Sequence, residues 1–484
     1  MRTSFLATAL MALTGLAVAS PTPTDKQPPS KRALVPVTVT GNAFWQGSTR
    51  FYIRGIDYQP GGSSAGLDPL ADTKVCLRDI EKFKKLGINT IRVYMVDNSK
   101  THEACMGALA DAGIYVVVDA NNPGYSLHRF KPGPSYNAQY LQSIFATVDE
   151  FAKYDNTLAF FSGNEVINDN VNSTVSAKYV KAVTRDMRQY LKTRKLRKIP
   201  VGYSAADVAD NRMEQAHYFN CGSDDERSDF FAFNDYSWCN SDLKTSQWDQ
   251  KVKNFTNYGL PIFLSEYGCT ANGRDFGEVQ ALMSRDMTGV YSGGLMYEYT
   301  NEENNFGIVQ LDNPATSTDV KELEGFAKFA HALATYPAPA GDGGASTSTR
   351  SVACPPKGAH WDVEDDQLPP IPKGADKLFQ NGAGIGPGLQ GPGSQSAGDE
   401  PLPVQTPASS GTQGGQDAQG GQSGQGAQGG ATTPKGKPDS ATETPAATTS
   451  KNAAGETFGG PLDKTPFLLV ALVTVLTITG TLLL

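Results

Sequence analysis

The sequence predicts an α/β protein built on a (β/α)8 TIM barrel, followed by a disordered low-complexity stalk. Three observations predict it. Eight short, apolar, β-rich runs recur along the first two thirds of the chain. Amphipathic helical patterns lie between most of them. Beyond about residue 386 the composition changes to Gly, Ser, Gln, Pro and Thr, which bury too little apolar surface to offset the entropy of ordering.

The eight runs are FYIRGIDY from 51, NTIRVYMV from 89, IYVVVDA from 114, LAFFSGNE from 158, IPVGYSA from 199, FFAFNDYSW from 230, PIFLSEYG from 261 and GGLMYEYT from 293. Near-continuous apolar strands that alternate with helices imply a parallel sheet covered on both sides. VCLRDIEKFKKLG carries Val75, Ile80, Phe83 and Leu86 on one face and ends at Gly87, a helix C-cap. AKYVKAVTRDMRQYLK repeats the pattern with Tyr179, Val183, Met187 and Tyr190, and DVADNRMEQAHYF does so more weakly. Eight such units over roughly 250 residues fit a barrel. A doubly wound open sheet is the alternative, and no Gly-rich phosphate loop follows the first strand to support it.

The ends of the chain are processing signals. Residues 1–19 have one Arg, an apolar stretch and Ala17-Val18-Ala19, the pattern of a secretory signal peptide. Lys31-Arg32 offers a second trimming site and sets 20–32 apart as a propeptide. The catalytic barrel spans 33–354, an extended segment at its edge spans 355–385, and the linker spans 386–452. Residues 453–484 contain a polar spacer and an uncharged apolar terminus behind the small residues Asn452, Ala453 and Ala454. That order describes a GPI-anchor signal, with Asn452 as the expected attachment residue and Ala454 or Gly455 as alternatives. A retained membrane helix would lack basic cytoplasmic flanks. The expected location is the outer face of the plasma membrane, or the cell wall.

A net charge of −8 argues against a nucleic-acid partner, and the nearest basic run, RKLRK at 194–198, reads as a solvated helix end. The six cysteines, in a secreted chain, read as disulfides, with fifteen pairings open. The five histidines are scattered, so neither zinc nor any other metal or cofactor is expected. No obligate protein partner is predicted. Asn172-Ser173-Thr174 and Asn254-Phe255-Thr256 are N-glycosylation acceptors.

Barrel enzymes carry their chemistry at strand C-terminal ends. Glu165 ends the fourth run and Glu266 the seventh. Two carboxylates facing each other across a barrel mouth, about 5–5.5 Å apart, are what a retaining glycosidase needs. An ordinary strand-end carboxylate paired with an arginine is the bland reading of either Glu alone. Asn164, beside the acid, is placed to bind a sugar 2-hydroxyl. Tyr94, Tyr236 and Tyr297 end the second, sixth and eighth runs, with Trp238 nearby, and offer flat apolar rings with polar tips. Gln59 and Asp119 end the first and third. Amide, carboxylate and aromatic groups with little positive charge suit a neutral polysaccharide.

In FYIRGIDYQPGGSS, NTIRVYMVDNSK, LAFFSGNEVIND, NDYSWC and FLSEYGC the chain resembles the fungal β-1,3-glucanosyltransferases of glycoside hydrolase family 72, over residues 35 to about 370. The resemblance implies cleavage within a β-1,3-glucan and transfer of the new reducing end to the non-reducing end of another chain, with donor and acceptor glucans as partners. Endo-β-1,3-glucanase and a non-catalytic glucan-binding wall protein are the alternatives. It implies Glu165 as acid/base and Glu266 as nucleophile. Asn164, Tyr94, Tyr297 and the loop with Asn121, Asn122, Tyr125, Ser126 and Arg129 would hold donor, and Asp207 and Arg212 acceptor. Gln59, Asp119 and Tyr236 would line the cleft. It further implies disulfides Cys76–Cys105, Cys221–Cys354 and Cys239–Cys269. No cysteine follows Cys354, so the chain resembles the branch without the cysteine-rich carbohydrate-binding module.

Overall fold

The structure is a computed structural model that describes residues 34–395 apart from 63, 64 and 365. The expected signal peptide, propeptide, Asn452, C-terminal tail and the linker beyond 395 lie outside the described residues.

Three short antiparallel strands come first: β1 (Val37–Thr40), β2 (Ala43–Gln46) and β3 (Thr49–Phe51). They are not legible in the sequence, because glycine turns break the segment into pieces too short to show a period. They are followed by β4 (Ile53–Asp57), β5 (Thr90–Val93), β6 (Tyr115–Asp119), β7 (Thr157–Asn164), β8 (Val201–Ala206), β9 (Phe230–Asn234), β10 (Ile262–Tyr267) and β11 (Tyr291–Met296). Each overlaps one of the eight predicted runs, with β7, β8 and β11 extending one or two residues beyond theirs. All neighbours pair in parallel, and β11 closes on β4, so the sheet is a closed eight-stranded barrel.

Side chains alternate along these strands. Val116, Val118, Phe160, Phe231 and Phe233 face the helices. Val117, Phe161, Phe230, Ala232 and Phe263 fill the barrel interior. Phe44 of β2 meets Phe230 and Phe263 with ring centroids 5.8 Å away in each case. Both partners lie near the starts of their strands, so the small sheet plugs the N-terminal end of the barrel. The C-terminal end is left for the site. Close strand approach explains the glycine pair in GGLMYEYT: a Cβ on Gly293 would sit 2.0 Å from the Ile53 carbonyl oxygen.

The helix Thr73–Leu86 is capped by Asp72, whose carboxylate accepts from Lys74 N at 2.9 Å, and ends at left-handed Gly87. Its predicted apolar face is buried. The helix Ala177–Thr193 buries Val183, Met187 and Tyr190, and the weak third pattern becomes the helix Arg212–Asn220. The RKLRK stretch is less solvated than expected. Arg197 donates to Tyr154 O and Thr157 O at 2.9 and 2.8 Å, and Arg194 to Gln380 O at 2.8 Å.

The disulfides are Cys76–Cys105, Cys221–Cys354 and Cys239–Cys269, the pairs implied by the resemblance. The last joins the loops after β9 and β10. The segment 355–385 lies on the barrel edge, with Phe379 packed against Phe145 at 5.2 Å. The linker boundary expected at 386 needs correction. Residues 386–395 pack onto the barrel, and Ser394 is 1% exposed. Composition misplaced the boundary because glycine-rich chain can lie flat where side chains could not. Among the described residues no helix is long and apolar enough to cross a membrane.

Candidate active site

Asn164 is the last residue of β7 and Glu165 follows it with φ +46°. That left-handed conformation is costly for a residue with a Cβ and persists only when neighbours enforce it. Here they do. Glu165 N–H donates to Ser204 O at 2.9 Å. Arg129 donates Nη2 to Glu165 O at 2.5 Å and Nε to Val166 O at 3.0 Å. The carboxyl Oε1 accepts from Asn234 Nδ2 at 2.9 Å.

Asn234 ends β9 and belongs to a buried amide–hydroxyl network. Its Nδ2 also donates to Asn164 Oδ1 at 3.1 Å. Ser204 Oγ lies 2.7 Å from the same Asn164 oxygen and 2.8 Å from Ser265 Oγ. Asn164 Oδ1 thus has two protein donors, which orients its NH2 as the group free to meet a ligand hydroxyl.

Glu266 is the penultimate residue of β10 and is 7% exposed. Tyr94 OH donates to Oε1 at 2.8 Å and Tyr236 OH to Oε2 at 2.6 Å. Arg92 Nη1 stands 3.2 Å from Oε1. Arg92 is fully buried, pairs bidentately with Asp119 at 2.9 and 3.0 Å, and lies over the Tyr94 ring at 4.1 Å. Tyr297 completes an aromatic wall, edge-on to Tyr94 at 6.4 Å and Tyr236 at 6.2 Å.

The two carboxyl groups sit in different electrostatic surroundings. Burial, and then the Glu266 carboxylate, push Glu165 up to about 7, against the Asn234 amide and the more distant Arg92 and Arg129. Burial also pushes Glu266 up, but Arg92 and the two phenol donors pull against it. Every hydrogen-bond partner named for Glu266 donates, and one is a cation. These donors favour the ionised form of Glu266, while Glu165 has one amide donor and the neighbouring carboxylate, so the surroundings favour the proton on Glu165. An acid kept protonated near neutrality beside an ionised partner is the division of roles that glycoside transfer requires.

Several expected binding residues do other work. Gln59 is 2% exposed, donates to Leu67 O at 2.8 Å and accepts from Tyr94 N and Met95 N at 3.2 and 3.1 Å. Asp119 is 2% exposed and pairs with Arg92. Asn122 is buried and closes a turn by accepting from Gly124 N and Tyr125 N at 2.9 and 3.0 Å. Tyr125 is buried, and Ser126 Oγ accepts from Gln395 at 2.6 Å. Arg129 holds main chain. Asp207 pairs with Arg212 and with Lys251 Nζ at 2.6 Å. Asn121 is half-buried, and its Oδ1 has no hydrogen-bond partner among the described residues. Asn172 and Asn254 are exposed.

Sequence reasoning missed Arg92, Asn234, Ser204 and Ser265. Arg92 and Asn234 carried a signal: one lies within and the other ends a buried barrel strand, where an unpaired charge or amide would be costly. Among the described residues no cluster of three or more His, Cys, Asp or Glu could hold a metal ion.

A closed barrel with two glutamates at the ends of β7 and β10, one buffered near neutrality and one clamped by donors, defines a retaining glycoside-transforming enzyme. Residues 27–335 match the family description Glyco_hydro_72, glucanosyltransferase. The chain belongs to glycoside hydrolase family 72. Among its relatives, 1,3-beta-glucanosyltransferase gel1 of Aspergillus fumigatus is 62% identical over 360 residues, covering 74% of this chain and 78% of the relative. The 1,3-beta-glucanosyltransferase GAS5 of Saccharomyces cerevisiae is 50% identical over 356 residues, 72% of each chain. The structure of Saccharomyces cerevisiae Gas2p in complex with laminaritriose and laminaritetraose superposes with a TM-score of 0.65 at 35% identity, covering 71% of this chain and 78% of that one.

Proposed function

We propose that the chain is a retaining β-1,3-glucanosyltransferase that elongates wall glucan. The observation that carries the reading is the pair itself: Glu266 held by three donors and Glu165 held protonated near neutrality. Glu266 attacks the anomeric carbon of an internal β-1,3 bond while Glu165 gives its proton to the leaving oxygen. The fragment carrying the old reducing end departs, and a covalent glycosyl–enzyme remains. The non-reducing end of a second glucan then enters. Glu165, now a carboxylate, takes the proton from its hydroxyl, and that oxygen displaces Glu266. The two inversions restore the β configuration. Asn164 is assigned the 2-hydroxyl of the sugar at the reacting centre, because its NH2 faces away from its protein donors. Tyr94, Tyr236 and Tyr297 form the apolar wall against that sugar. Asp207 and Arg212 remain proposed acceptor-side residues, and Asn121 a donor-side one.

The solved relatives holding laminari-oligosaccharides support a β-1,3-glucan substrate. A GPI anchor and action at the outer face of the plasma membrane are part of the proposal, supported by the two terminal sequence signals. Incubation with one reduced laminari-oligosaccharide, followed by sizing of the products, tests it. Chains longer than the starting material are expected. Products that are all shorter would replace transfer with endo-hydrolysis.

A further inference from the structure

The chain that leaves the barrel edge returns to its mouth. Gln142 Nε2 holds Ala383 O and Ile385 O at 3.0 and 2.9 Å, and Gly388 N–H donates to Asn98 Oδ1 at 3.0 Å. Further along, Gly393 N–H lies 3.4 Å from Tyr125 OH and Ser394 N–H donates to Gly124 O at 2.9 Å. Asn137 Nδ2 donates to Ser394 O at 2.8 Å, and Gln395 Nε2 to Ser126 Oγ at 2.6 Å. The fit is tight. A Cβ on Gly391 would lie 2.3 Å from Tyr125 OH, and one on Gly386 would lie 2.1 Å from Asn98 Oδ1.

The turn gripped in this way, Asn122–Ser126, is otherwise held by its own hydrogen bonds and by the burial of Tyr125. Apart from a short bridge between Asn122 and Tyr125 it has no regular structure. It leads directly to Arg129, whose guanidinium holds the carbonyls of Glu165 and Val166. Those bonds help keep Glu165 in its left-handed conformation, which sets where its carboxyl points. Contacts thus tie residues 385–395 to the turn, the backbone through Leu127 and His128 joins the turn to Arg129, whose own carbonyl also accepts from Ser176 Oγ, and Arg129 holds the main chain of Glu165.

We propose that residues 385–395 are a positioning strap for the acid/base: they fix the turn, the turn fixes Arg129, and Arg129 fixes Glu165. The proposal rests on the acid/base reading of Glu165. The stretch that composition assigns to a passive linker thus belongs to the catalytic apparatus. Displacing a reacting group by about 1 Å can cost about a hundredfold in rate, so a loosened strap acts on turnover more than on glucan binding.

The test uses the full chain with Gly391→Ala, Gln395→Ala, Arg129→Lys and Glu165→Gln. For each, kcat, KM and the pH profile are measured on a laminari-oligosaccharide, together with the melting temperature. The charged groups facing Glu165 are Glu266, Arg92 and Arg129, and Tyr203 lies close by. Arg129 is among those that favour the ionised acid, so its displacement moves the alkaline limb to higher pH. Gly391→Ala is expected to lower kcat about tenfold with little change in KM, and to shift that limb in the same direction as Arg129→Lys. Adding Tyr125→Phe, which removes the hydroxyl the new methyl meets, is expected to restore part of the loss. Unchanged kcat and pH profile in Gly391→Ala would overturn the strap. If Gly391→Ala does not fold, the Gln395→Ala variant decides alone, with a loss of about threefold expected and no loss overturning it. Full activity in Glu165→Gln would instead overturn the acid/base reading, whatever the strap variants do.

Discussion

Asn234 Nδ2 donates to Glu165 Oε1 at 2.9 Å, from a strand position whose Cα is registered against that of Glu266. One amide thus stands between the two carboxylates and hydrogen-bonds the acid alone. It favours the ionised form of Glu165 and opposes burial. Asn234→Ala should therefore raise the Glu165 pKa above its value of about 7 and carry the alkaline limb of kcat/KM upward with it. A limb that stays in place would show that another group sets it.

The glutamates themselves should separate cleanly in kinetics. Glu165→Gln removes the proton donor and should cost about 10²- to 10⁴-fold in kcat on natural glucan. A donor whose leaving group needs no protonation should lose far less in its first step. Glu266→Gln should lose the covalent intermediate altogether, with both kinds of donor. Mass spectrometry of enzyme quenched during turnover should find the glycosyl adduct in the parent and not in Glu266→Gln.

Arg92 and Asp119 form a buried, bidentate pair beneath the nucleophile. Arg92→Ala strands the Asp119 carboxyl in a dry site and should cost about 3–5 kcal/mol of stability. It also takes the cation from Glu266, so activity at low pH should fall before activity at high pH. Denaturant unfolding beside a pH–rate profile checks both halves.

His102 is buried between Asp68 Oδ2 at 2.7 Å and Glu150 Oε1 at 3.1 Å. Burial disfavours its charged form, but the two carboxylates outweigh that and raise its pKa from 6.5 to about 9. A raised folded-state pKa means the stabilisation is fully present below the unfolded value and fades as pH rises through the folded one. The protein should therefore lose stability between about pH 6.5 and 9, and His102→Gln should flatten that slope. Melting temperatures at pH 6, 7.5 and 9 on both proteins measure it, and equal slopes would remove His102 from the explanation.

The eight barrel strands were legible because each is an apolar run between turn signals, a local property. The two glutamates were legible because each breaks such a run at its end. Tyr94, Tyr236 and Tyr297 were found the same way. Gln59 and Asp119 obey the same positional rule, yet they turn inward to a carbonyl and an arginine. Strand position alone does not say whether a polar group meets solvent or a buried partner. The plug sheet was hidden by its short strands, and the strap by a composition that resembles linker.

The sequence by itself determined the barrel, the strands that carry Glu165 and Glu266, and the kind of chemistry they serve. Those follow from hydrophobic period and residue type, which act over a few neighbours. Only the tertiary structure shows what surrounds each carboxyl: Arg92, Asn234 and two phenols, brought together from β5, β9 and the loops after β5 and β9. It alone decided that residues 385–395 reach back to Ser126, a contact between positions 269 residues apart. Burial and charge–charge energies depend on distance in space, and no local pattern encodes that distance.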